Sequence, residues 1–252
     1  MAEIATFESG AYRYIRGPFQ YSGGVAAEPG FAIERVRFPR PVALGVGFER
    51  IERYLRELGR PCTAFCACEL RSPEPFSEEG FVEFNRVYVE TLERWGLFSN
   101  DDNPVARSNV CPEIDGPAGP SFHAFCYTVP TRDVAQPSFV ISGSAEVPEG
   151  DGTYEERIIR RGDNSAGALR EKALYVLDTM GARMSALGVS WNNSTATHAY
   201  TVRDLHPFFA DEIVSRGAAT LGLTWFYARP PVTGLDYEMD VRAVFTEHIL
   251  SD

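Results

Sequence analysis

The stretch SFVISGSAEV (138–147), followed by REKALYVLDTMGARMSALG (170–188) and TATHAYTV (195–202), decides the fold class. Its first and third parts are short runs rich in β-branched and aromatic residues, the signature of strands. Between them, Leu169, Ala173, Val176, Leu177, Met180, Met184 and Leu187 recur at helical spacing, which predicts a helix over about 167–187 stopped by Gly188. Downstream the pattern predicts a shorter helix at about 207–215, stopped by Gly217, and strands over 221–228 and 235–244.

Upstream, the same order occurs once before. An extended stretch at 30–38 precedes a helix near 44–58, with Ile51, Tyr54, Leu55 and Leu58 on one face and Gly59 as its stop. The strand TAFCACEL (63–70) follows, then a helix at about 78–95 carrying Phe81, Phe84, Tyr88, Leu92 and Trp95, ended by Gly96. Strands near 105–111 and 122–129 complete the first pass. The stops Gly59 and Gly188 lie 129 residues apart, and Gly96 and Gly217 lie 121 apart. Two β-α-β-α-β-β modules are therefore expected, 1–132 and 133–252, joined near Thr131–Gln136. Together they make an α+β protein whose sheets each carry two helices on one face.

Composition narrows the chemistry. The 252 residues carry 24 basic and 35 acidic side chains, a net charge of −11, which argues against a nucleic-acid partner. No apolar run approaches a membrane span, and the first residues, MAEIATFESGAYRYIRG, are charged where a signal peptide needs an apolar core. With five cysteines, no C-x-x-C pair and no secretory context, free thiols in the cytoplasm are expected. Cys66 and Cys68 alternate on TAFCACEL and are expected to share one face of its strand. Lys172 is the only lysine and stands in REKALYVLD, so a phosphate-binding P-loop is excluded. Beside the apolar stripe it reads as a solvated helix residue. His123, His198, His206 and His248 show no metal-ligand spacing, so no metal site is expected.

Taken in order, these segments resemble the RidA (YjgF) family, which has a chorismate-mutase-like fold. GPFQY (17–21) is similar to its N-terminal G-P-Y segment, FNRVYVETL (84–92) to its V-N-x-x-Y-x-x-F helix, and NPVARSNV (103–110) to its P-x-R-[ST]-x-V signature. SFVISGSAEV, the long helix after it and THAYTVRDL (197–205) carry the likeness through the second half. The resemblance implies a homotrimer with a small-molecule site in each cleft between modules. It also implies hydrolysis of 2-imino or 2-enamino acids to 2-oxo acids and ammonia, with no metal or organic cofactor.

The same resemblance assigns residues. Arg107 stands where the family clamps a carboxylate, a task suited to a planar guanidinium that binds both oxygens. Asn85 corresponds to the helix asparagine and Ser142 to the serine of an S-G-Q strand, with Ser144 in place of the glutamine. Glu238 in LDYEMDV matches the glutamate that positions water, and His123 holds the equivalent place in the first module. Phe19 stands where tyrosine is frequent, which removes a hydroxyl. Arg107 and Asn85 belong to one module, Ser142 and Glu238 to the other, so an active site has to be a composite cleft. Alternatively the site is rebuilt around Phe19, Tyr21, His123 and Trp225.

Three functions stay open at this point. The first is a hydrolase or deaminase of a small carboxylated imine or enamine, an aminomuconate-like metabolite among them. The second is a chorismatase-like hydrolase, although the chain is short for one. The third is a non-catalytic protein that binds a small carboxylated metabolite or serves as a scaffold.

Overall fold

Residues 2–132 and 136–250 are described by the computed structural model. The expected junction at Thr131–Gln136 includes 133–135, which lie outside the described residues. In chain order, β1 (Ile4–Phe7), β2 (Tyr12–Ile15) and β3 (Gly24–Ala27) come first. The first α/β run is β4 (Phe31–Ala43), α1 (Leu44–Glu57), β5 (Phe65–Arg71), α2 (Glu78–Arg94), β6 (Ala106–Pro112) and β7 (Ser121–Pro130). The second is β8 (Phe139–Ala145), a single turn α3 (Tyr154–Arg157), α4 (Ala166–Ala186), β9 (Ala196–Tyr200), α5 (His206–Phe208), β10 (Thr224–Phe226), β11 (Ala228–Arg229), β12 (Glu238–Ala243) and β13 (Glu247–Ile249). The doubled β-α-β-α-β-β pattern is present, and the fold is α+β.

Each helix forms for reasons visible in its residues. Ser77 caps α2 by accepting from the Gly80 amide, and Ser165 caps α4 by accepting from Ala168. Gly59, Gly96 and Gly188 follow α1, α2 and α4 at φ +66°, +73° and +75°, a conformation that stops a helix most easily with glycine. Phe48, Ile51 and Leu55 of α1, with Phe81, Phe84, Tyr88 and Leu92 of α2, pack on one sheet. Leu169, Ala173, Val176, Met180 and Met184 of α4 pack on the other.

The two sheets run β1-β2-β3-β8-β12-β9-β10 and β11-β6-β5-β7-β4-β13. They meet face to face over Tyr12, Tyr14, Val25 and Val140 from the first and Ile33, Cys66, Ala67 and Cys126 from the second. The helices lie outside, so the layers are helix, sheet, sheet, helix. Both chain ends cross over. Residues 4–27 add three strands beside β8, with Gly24 opposite Ile141, while β13 runs parallel to β4 with Glu247 opposite Arg35.

A charged network spans the same interface. Glu69 accepts from Arg35 Nε and Nη2 at 2.7 and 2.9 Å and also from Arg242. Arg242 Nη2 donates to Asp240 Oδ1 at 2.6 Å and lies 3.1 Å from His198 Nδ1, and Tyr200 donates to Asp240 Oδ2 at 2.6 Å.

Several local expectations are corrected. Lys172 is fully buried, not solvated, because its Nζ reaches Asp236 Oδ2 at 2.5 Å and lies 3.5 Å from Glu146 Oε1. Cys66 packs between the sheets and Cys68 against the helices, because the register of β5 on β7 shifts between Phe65 and Ala67 and inverts the alternation. The helix expected over 207–215 is the short α5 running into a π-helical turn, Phe209–Val214. The strand expected over 221–228 divides, with Thr224–Phe226 in one sheet and Ala228–Arg229 on the other, opposite Pro112 and Cys111. Arg229 belongs to β11 and pairs with Glu113 at 2.6 and 2.8 Å.

Candidate active site

Alternate residues of a strand share a face, and on β6 these are Arg107 and Asn109. Both line a cavity of about 40 Å³. Phe81 of α2, Gly143 and Ala145 of β8 and Glu238 of β12 line it too. Tyr21, Tyr154 and the apolar Val147, Pro231, Val232 and Leu235 complete the wall. The cavity therefore lies at the junction of the two modules.

The Arg107 guanidinium sits 4.8 Å from the Tyr88 ring centre and 5.0 Å from that of Tyr21, with Phe84 at 5.5 Å and Phe81 at 5.7 Å. The side chain is buried, and neither Nη atom has a hydrogen-bond partner. Aromatic faces attract a cation, but they do not satisfy N–H donors. Leaving a buried charge uncompensated costs several kcal/mol, so the arrangement suits an anion that arrives with the ligand. Asn109 adds to it. Ser72 Oγ donates to Asn109 Oδ1 at 3.0 Å, which leaves Nδ2 buried and unpaired.

Glu238 is the acidic counterpart. It begins β12, opposite Ala145 and Tyr200, and is 3% exposed. Burial pushes its carboxyl well above the usual carboxylate range; Asp240 and Glu146 push the same way, and Arg107 and Arg71 pull back. Burial thus favours the protonated carboxyl in the cavity that the unpaired donors of Arg107 and Asn109 also line. Gly143 makes room for it: a Cβ there would stand 2.1 Å from Glu238 Oε1.

Of the remaining expected residues, Tyr21 lines the cavity and the others lie outside its lining. Ser142 Oγ donates to Ser22 O at 2.6 Å and accepts from the Arg107 amide at 3.0 Å, so it ties β8 and the β2–β3 loop to β6. Asn85 is buried in α2, with Nδ2 donating to Phe81 O at 2.6 Å and Oδ1 unpaired. Phe19 lies under the Arg86 guanidinium at 3.8 Å. Its carbonyl and that of Gln20 each accept from Asn103 Nδ2 at 3.1 Å, and the Ser22 amide donates to Val105 O at 2.9 Å. That strap brings Tyr21 over Arg107. His123 is half-buried on β7 near Phe226, its imidazole pushed down to about 3 by burial and then by Arg71. Trp225 donates to Thr201 O and packs on His206, so the rebuilt site around Phe19, Tyr21, His123 and Trp225 is not assembled.

Sequence reasoning missed Asn109, Tyr154 and the acid pair Glu146 and Asp236. Strand alternation from Arg107 was signal enough for Asn109. Nothing in the sequence pointed to Tyr154, which lies in the segment between β8 and α4. Among the described residues, no group of three or more histidine, cysteine or acidic side chains is arranged to hold a metal ion.

The family described as 2-aminomuconate deaminase CnbZ matches residues 4–248. The chain belongs to that family. A curated relative, the 2-amino-5-chloromuconate deaminase of Comamonas testosteroni, is 49% identical over 251 residues, 99% of this chain and 100% of its own. A crystal structure of chorismatase superposes with a TM-score of 0.53 at 12% identity, covering 96% of this chain and 86% of that one. At that identity the likeness is one of fold, and it agrees with the chorismate-mutase-like modules expected for this CnbZ-family chain.

Proposed function

We propose that this chain hydrolyses a 2-aminomuconate-type enamine to the 2-oxo acid and ammonia, with Arg107 as carboxylate anchor and Glu238 as proton carrier. The observation that carries the reading is the buried Arg107 guanidinium, whose Nη atoms are both unpaired, in the same cavity as a carboxyl whose protonated form burial favours. The names of its family and of its full-length relative support the substrate class.

The substrate carboxylate takes the two Nη donors, which fixes C2 in front of Glu238. Glu238 gives its proton to C3, and the enamine becomes an iminium with its positive charge at C2 and nitrogen. The carboxylate left behind takes a proton from water as the water oxygen adds to C2. The hydroxyl proton then passes through Glu238 to nitrogen, the C–N bond breaks, and ammonia leaves behind the 2-oxo group. The balance is one enamine and one water giving one oxo acid and one ammonia. Asn109 Nδ2 donates to the oxygen forming at C2. Positioning supplies most of the acceleration, since neither partner is a strong nucleophile. The apolar wall of Val147, Val232 and Leu235 suits the conjugated chain beyond C3.

Mixing the protein with freshly generated 2-aminomuconate tests this. Loss of the conjugated absorbance with stoichiometric ammonia, faster than in buffer, is expected; pyruvate from chorismate is not. No acceleration with 2-aminomuconate or 2-iminobutanoate would leave the binding-protein reading in its place.

A homotrimer is the assembly we propose. Leu221, Trp225 and Tyr227 around β10, and Phe245 and Ile249 around β13, expose apolar side chains at sheet edges that a second copy would cover. Light scattering that returned a stable 28.0 kDa particle would reject it. Five unpaired cysteines support a cytoplasmic setting, and no described helix is long and apolar enough to cross a membrane.

A further inference from the structure

The backbone that delivers Glu238 to the cavity is held from behind. Glu146 accepts the amide hydrogens of Asp236 and Tyr237, one on each carboxylate oxygen, at 2.6 and 3.0 Å. Lys172 reaches over from α4 to Asp236 Oδ2 at 2.5 Å and lies 3.5 Å from Glu146 Oε1. Arg203 donates to Asp236 Oδ1 at 3.0 and 3.1 Å, and Thr201 Oγ1 donates to the Asp236 carbonyl at 2.7 Å. Lys172 and Glu146 are wholly buried. None of these groups lines the cavity, yet Leu235 and Glu238, at either end of the held segment, both do. A buried ion cluster is a poor way to add stability compared with apolar packing of the same volume. What this one achieves is placement, because two consecutive amides bound to one carboxylate leave the start of β12 a single position.

We propose that Glu146, Asp236 and Lys172 form a positioning device that fixes where the Glu238 carboxyl stands in the cavity. The inference rests on Glu238 being the proton carrier. A glutamine at 146 has one carbonyl oxygen, so it holds only one of the two amides and presents a donor to the other. It also removes one of the charges acting on Glu238, the others being Asp240, Arg107 and Arg71.

The test is Glu146→Gln, followed by turnover of 2-aminomuconate and by a carbon-13 titration of the glutamate carboxyls, with Glu238 assigned from Glu238→Gln. A fall in kcat of at least tenfold with KM within threefold, together with a lower Glu238 midpoint, is expected. Lys172→Met should also lower kcat more than it raises KM. If Glu146→Gln does not fold, Glu146→Asp, which keeps the charge and retracts it by one methylene, is read for the same loss of kcat. A wild-type midpoint and kcat in the folded variant would overturn the inference. If the protein turns over no enamine, a displaced Glu238 midpoint in Glu146→Asp, which keeps the charge, would instead uphold the positioning and reject the deaminase reading.

Discussion

Arg107 and Glu238 make opposite demands on one experiment. Arg107→Lys keeps the charge but loses the two-pronged fit, so titration calorimetry should show carboxylate binding weakened by about 1–3 kcal/mol. Glu238→Gln should leave binding in place and remove turnover. Because the Glu238 carboxyl is raised, wild-type kcat should hold at low pH and fall as pH rises through its folded-state value. Stability follows the same sign: what a protonated Glu238 contributes is complete below the ordinary glutamate value and is lost as pH rises through the folded one. Glu238→Gln should therefore melt at a progressively higher temperature than wild type as pH increases. Gly143→Ala should be nearly inactive yet folded, since the new methyl meets the movable end of Glu238 before it meets backbone. At this scale the residues legible in the sequence were those whose chemistry is strand-borne and local. Arg107 and Glu238 sit in short motifs, whereas Tyr154 and Asp236 matter only through contacts made by distant segments.

At the scale of elements, the helices and most strands follow directly from periodicity, and the exceptions have physical causes. Apolar spacing could not show that Lys172 lies buried, since the carboxylates that accept it come from positions 146 and 236. Alternation failed for Cys66 and Cys68 because an irregular register in β5 is a backbone event with no residue signature. The β1–β2–β3 meander was missed because its strands are four residues each, too short to establish a period. Ser142 shows how a motif serine can act between elements rather than on a ligand. Ser142→Ala would leave the Arg107 amide buried without its acceptor, and urea unfolding should show a loss of about 1–3 kcal/mol.

For the whole molecule, the charged interface sets the response to acid. His198, pushed down to about 4 by burial and then by Arg242, must be neutral to accept from that arginine. A histidine lowered in this way contributes stability above its ordinary value and loses it as pH falls. The urea midpoint should therefore decline between about pH 6.5 and pH 4, and His198→Asn should flatten that decline. The crossing of the chain ends has a different consequence, one that concerns manufacture. A ribosome releases residues 4–27 more than a hundred positions ahead of β8, their eventual neighbour. At ordinary elongation rates that is a wait of about ten seconds, during which a nascent hairpin has no sheet to join. The partner of β4 on its other edge, β13, emerges about two hundred positions after β4. Neither sheet is complete until β12 and β13 have been made, so a gene split between β7 and β8 would encode two pieces that each lack a border of their own sheet.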